Sequence, residues 1–156
     1  MNPQADDQAA LLPAPPNQAI NGIDEYQQLV ESLRASEEKF AALFQLSPIP
    51  LTITAIADGT FRDVNEAFVR VSGYSREEVI GSSSLKLGLF ANPADRITLA
   101  ERIQSLGLVT AAPIAYRTKQ GDLLDTLTSA SIVTIGGQPY FIAGITDITA
   151  LKRAEA

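Results

Sequence analysis

The feature that most limits the fold is a set of three β-rich runs near the C-terminal end, LVTAAPIAYRT, LLDTLTSASIVTI and PYFIAGITD, separated only by KQGD and GGQ. Val, Ile, Thr, Tyr and Phe favour a pleated backbone. Connections this short close hairpins, whereas a parallel crossover needs a dozen or more residues. The runs therefore lie side by side as antiparallel strands. In PYFIAGI the apolar residues are consecutive rather than alternating, which predicts a strand covered on both faces. One cover is the chain's own short helices, and the other is either the helical segment of residues 36–46 or a second subunit.

Upstream, PLTITAI, DGT and FRDV read as strand, turn and strand, with Asp58 and Gly59 supplying the turn. The period then changes. Asn65 caps a short helix, EAFVRVSG, that closes at Gly73, and Ser75 with Glu78 forms a capping box for REEVIG. Asn92, Pro93 and Asp95 start a longer helix that ends at Gly107. The run Ser82, Ser83, Ser84 reads as a loop, because no His or Lys partner equips it for nucleophilic catalysis, and GGQ reads as a hairpin turn. This order predicts an α+β domain, an antiparallel sheet with helices gathered on one face.

The N-terminal segment is different. Residues 1–20 are rich in Pro, Ala and Gln and read as a disordered arm. From Asn21, Ile23, Tyr26, Val30, Leu33, Phe40 and Phe44 recur at helical spacing, interrupted by Glu37. Asn21 with Asp24 resembles a capping box, and Ser36 followed by two glutamates is a second start, so residues 21–46 are one helix or two in succession. The apolar seam either lies on its own domain or pairs with its copy in a homodimer; the expectation is a dimer held by the part before Ser36.

Composition removes several functions. Twelve basic residues against eighteen acidic ones give a net charge of −6, unsuited to nucleic acid. No cysteine and no histidine are present, so thiol catalysis, disulfides, thiolate or imidazole metal sites and an axial haem ligand have no residue. No metal site and no catalytic residues are expected. The most apolar late stretch is broken by Gly136, Gly137, Gln138 and Pro139, and the start lacks signal-peptide character, which predicts a soluble cytoplasmic protein without a membrane span. A small α+β enzyme using a buried carboxylate would rely on Asp125, which has no second catalytic group.

The stretches SEEKFAALFQLSPIPL, DGTFRDVNEAF, SGYSREEVIG, LGLFANPADR, the GG before the last strand and DITALKRAEA, taken in order over residues 36–156, resemble a PAS domain. This is the sensory module of bacterial histidine kinases, diguanylate cyclases and chemoreceptors. The resemblance implies a five-stranded antiparallel sheet over residues 36–149. It also implies that Asp147, Ile148 and Thr149 end the last strand and open a connector helix, residues 150–156, that leads to an effector domain. Within the family Asp147 and Thr149 relay the signal, with Asp147 pairing to a basic residue near the preceding hairpin, Lys119 or Arg117. Covalent flavin needs the missing cysteine, and Ile145 stands where flavin binders carry glutamine. No cofactor is therefore expected. A small-molecule pocket, if the domain uses one, is expected at Ile53, Phe68, Leu127, Ser129, Ile142 and Ile145, with Asn65 and Tyr74 for polar contacts. The alternatives are a ligand-free dimerisation module and, more remotely, the small enzyme.

Overall fold

A computed structural model describes residues 16–155, with side chains from residue 22 onward. Fifteen residues of the expected arm, 1–15, lie outside the described residues, whereas residues 16–20 are helical. Helix α1, Pro16–Leu46, runs unbroken through Asn21 and Ser36. Neither start signal is used, because Glu, Leu, Arg, Ala and Lys on both sides of Ser36 favour helix continuation. The described residues fall into two compact units, one ending at residue 41 and the other beginning at residue 42. Within the first, Ile23, Tyr26, Leu29 and Leu33 are 58%, 67%, 68% and 59% exposed along α1.

The second unit is built on a five-stranded sheet in the order β2-β1-β5-β4-β3. The strands are β1 Leu51–Ala55, β2 Phe61–Val64, β3 Leu108–Arg117, β4 Leu123–Ile135 and β5 Gln138–Asp147. Every pairing is antiparallel, with Ile53 opposite Ile142 and Thr126 opposite Asp147. The last strand lies beside the first, so β5 is central and hydrogen-bonded on both edges, consistent with its unbroken apolar run.

Between β2 and β3 lie α2 Glu66–Ser72, α3 Arg76–Val79, α4 Ser84–Leu87 and α5 Pro93–Leu106; α6 Thr149–Glu155 follows β5. The cap residues act as their chemistry dictates. Asn65 accepts from the Phe68 amide, Ser75 and Glu78 form the reciprocal box, and Asn92 accepts from the Ala94 amide. Gly73 and Gly107 close α2 and α5 at φ 80° and 76°, a backbone region that a Cβ disfavours. The serine run is not a plain loop, since Ser83 accepts from the Lys86 amide and caps α4. Buried side chains gather into two clusters, one around Phe61, Val64, Phe68, Val79 and Leu89, the other around Ile103, Val109, Ala112, Ile114 and Ala130.

Candidate functional site

Side chains on β4 and β5 alternate between the two sheet faces. Thr126, Thr128 and Ala130, with Phe141, Ala143 and Ile145, face inward, where they meet Leu99 and Ile103 of α5 and Phe68 of α2 around a cavity of about 500 Å³. Pockets of this size accept molecules the size of a cofactor or drug.

The cavity's polar part is a chain of hydroxyls. Thr126 Oγ1 donates to the Ile114 carbonyl at 2.8 Å, Thr126 and Thr128 Oγ1 are 3.2 Å apart, and Thr128 Oγ1 is 3.1 Å from Tyr116 Oη. Both threonines are buried. Burial, reinforced by the nearby Asp95 charge, pushes the Tyr116 phenol up to about 12. The Phe90 ring lies 5.0 Å from that of Tyr116. Arg96, also on the lining, donates from Nε to Ser84 Oγ at 2.9 Å. Its Nη2 lies beside the β1–β2 turn, 3.0 Å from where a side chain on Gly59 would begin.

The structure brings together only part of the expected pocket. Phe68 and Ile145 line the cavity. Leu127 and Ser129 are offset by one residue from the inward threonines and project from the other face; Ile53 and Ile142, paired across β1 and β5, do likewise. Ser129 Oγ instead accepts from the amide of Ala111, a residue at φ 52° in a register shift of β3. Tyr74 donates to the Leu87 carbonyl away from the cavity. Asn65 is fully buried and already saturated. Its Oδ1 accepts from the Leu51 and Phe68 amides and its Nδ2 donates to the Phe44 and Ile49 carbonyls, all at 2.9 to 3.0 Å, so no polar atom remains for a ligand.

The expected ion pair of Asp147 is also corrected. Asp147 accepts from the amide and hydroxyl of Thr149, while Lys119 reaches α3 and pairs with Glu78 at 2.8 Å. The Lys119 hydrogen bond, with the Ser75 amide next, holds Glu78 below the usual carboxylate range. Arg117 makes one long contact, 3.4 Å, to the Gly121 carbonyl. The start of α6 is tied to β4 instead, since Thr149 Oγ1 accepts from the Asp125 amide at 2.9 Å and the Ile148 amide donates to the Asp125 carbonyl at 2.8 Å. Asp125, the acid considered as a base, sits half-buried on the face away from the cavity, 3.9 Å from Lys152. Because Asp147 also lines the cavity, one strand end borders both the cavity and α6.

Among the described residues no cluster of three or more potential ligands could hold a metal, and no helix is long and apolar enough to cross a membrane. Of the six seam residues, Phe44 is buried within the second unit. Arg96, Tyr116, Thr126 and Thr128 were not singled out from the sequence. Only the hydroxyl at every second position of β4 could have marked the last two.

An antiparallel sheet with short helices over a cavity on one face defines an α+β module with an internal pocket. A family model described as PAS domain matches residues 48–150, and the chain belongs to the PAS domain family. A probable diguanylate cyclase of Escherichia coli (strain K12), DgcE, is 30% identical over 123 residues, which cover 77% of this chain and 11% of that protein. The chain thus spans about a tenth of the length of that curated relative. Among solved structures, the PAS domain of an HTR-like protein from Haloarcula marismortui is similar with a TM-score of 0.64, 22% identity, and coverage of 78% of this chain and 99% of that one. The LOV domain of the blue-light activated histidine kinase of Erythrobacter litoralis EL346 gives 0.56, 24%, 66% and 98%. At these identities the two structures show the fold.

Proposed function

We propose that this chain is the input module of a larger cytoplasmic signalling protein, in which occupancy of the cavity biases the junction between β5 and α6 and so reaches an effector such as a diguanylate cyclase or a histidine kinase. The observation that carries this reading is the position of β5. Ile145 and Asp147 line the cavity, and Asp147 two residues later anchors Thr149 at the head of α6. The similarity to DgcE and to a histidine kinase's domain supports the choice of effector classes. The lining offers neither thiol nor imidazole, since the chain has no cysteine and no histidine, so neither a flavin thioether nor an axial haem bond is part of this reading.

Mass spectrometry of the purified chain under native and denaturing conditions, with an absorption spectrum, tests it. A noncovalent mass released on denaturation, without a visible haem or flavin band, is expected. No bound mass, together with no uptake of any apolar probe, overturns the sensory reading.

A second reading, dimerisation, is favoured by the exposed apolar residues Ile23, Tyr26, Leu29 and Leu33 on α1. Pairing this stripe with its copy would bury it and set two connector helices side by side, so it complements the sensory role. A dimer without any ligand is the alternative it leaves.

A further inference from the structure

We infer that the cavity takes a ring-containing carboxylate that also carries a hydroxyl or N–H donor. This rests on the reading of the cavity as a ligand site and names the chemistry of its occupant.

The hydroxyl chain has a fixed direction. A hydroxyl meets a carbonyl only by donating, so Thr126 spends its one hydrogen on the Ile114 carbonyl and must accept from Thr128. Thr128, its hydrogen spent in turn, must accept from Tyr116. Every hydrogen of the chain is therefore consumed within the protein, and lone pairs on Tyr116 Oη are what its free end offers. An occupant that presents a donor there completes the chain; one that presents only an acceptor meets lone pairs with lone pairs.

Arg96, also on the lining, has the opposite polarity. Arg96 uses Nε on Ser84 and has no carboxylate within 4.0 Å among the described residues. It is half-buried, and a planar guanidinium with open N–H groups is matched by a carboxylate in two parallel hydrogen bonds. The acids on the lining do not fill that role. Asp58 is held by the Thr60 amide and hydroxyl and by Arg62, Asp147 by Thr149, and Glu101 is exposed. The walls also carry the rings of Phe61, Phe68, Phe90 and Phe141, which suit a flat apolar body.

Three probes separate the features: 6-hydroxy-2-naphthoate has ring, acid and donor, 6-methoxy-2-naphthoate lacks the donor, and 2-naphthol lacks the acid. The chain contains no tryptophan, so naphthalene fluorescence reports binding to the full chain directly. The hydroxy acid is expected to bind at least about tenfold more tightly than either of the others, about the worth of one good charged or neutral hydrogen bond. Arg96→Gln should bring the hydroxy acid to the affinity of 2-naphthol while leaving 2-naphthol unchanged, and Arg96→Lys should keep part of the preference. Tyr116→Phe should erase the difference between hydroxy and methoxy acids. Equal affinity for all three probes, or a preference that survives Arg96→Gln, overturns the ligand class while the cavity reading stands. Failure of every probe to bind at millimolar concentration to chain that mass spectrometry shows to carry no bound mass overturns both.

Discussion

Asn65 shows how one side chain can fix a junction of several elements. Its four hydrogen bonds join the end of α1, the start of β1 and the first turn of α2, and it is fully buried. Truncation leaves buried amides and carbonyls unpaired at about 1–3 kcal/mol each. Asn65→Ala is therefore expected to lose roughly 3 kcal/mol or more of unfolding free energy in urea, and a loss below about 1 kcal/mol would show that water replaces the amide without penalty. Tyr116 gives a pH signature. Its phenol ionises at about 12 when folded and at about 10 when unfolded, so the unfolded state releases the proton first as pH rises. The stability it contributes is whole below pH 10 and declines by about 1.4 kcal/mol per pH unit up to pH 12. Comparing denaturation of the wild type and Tyr116→Phe across pH 9 to 12 should reveal that extra slope in the wild type, and parallel curves would contradict it. The cap role of Asn65 was legible because a cap is local, but its other partners lie 14 to 21 residues away. In LLDTLTSAS Leu alternates with Thr, and hydrophobicity assigns Leu127, expected in the pocket, to the inner face, whereas the structure places Thr126 and Thr128 there. The rule failed because the outward face of the sheet is itself half-buried, as at Leu127 and Ile142, so apolarity did not choose between the faces.

At the scale of elements, the helices and strands between residues 51 and 147 follow from caps, turns and periodicity, except α4, whose start lies in the serine run read as a loop, while the contacts between them do not. The capping residues Asn65, Ser75 and Asn92 and the turn glycines are short-range signals and hold. The Asp147 ion pair was expected by analogy, yet Lys119 sits on a hairpin that reaches α3, where Glu78 meets it. What holds α6 to the sheet is Thr149, which bridges Asp125 on β4 and Asp147 on β5, while the Lys152–Asp125 contact at 3.9 Å is exposed and worth little. Replacing Asp147 with Ala should lower stability by only about 0.5–2 kcal/mol, as for other caps. Both Asp147→Ala and Thr149→Val should quicken amide hydrogen exchange at residues 148–152 by about tenfold, the equivalent of one lost hydrogen bond, without changing exchange in β1. Unchanged exchange in both variants would mean that α6 is held by something other than this bridge.

For the whole molecule, the expected α+β class, antiparallel sheet and helices on one face are all present, because alternating periods and glycine turns are written locally in the chain. The partner of α1 is not, since an exposed apolar stripe has the same sequence whether it meets its own domain or a second chain. The dimer reading predicts that the full chain sediments as a dimer at micromolar concentration and that Leu29→Glu with Leu33→Glu shifts it to monomer; a wild type already monomeric at high micromolar concentration would contradict it. The central claim, that filling the cavity alters the β5–α6 junction, is tested most directly by amide hydrogen exchange on the full chain with and without saturating 6-hydroxy-2-naphthoate. The account predicts a change of at least about threefold at residues 148–152, together with protection of β4 and β5 beside the cavity. Protection of those strands with an unchanged junction would contradict it.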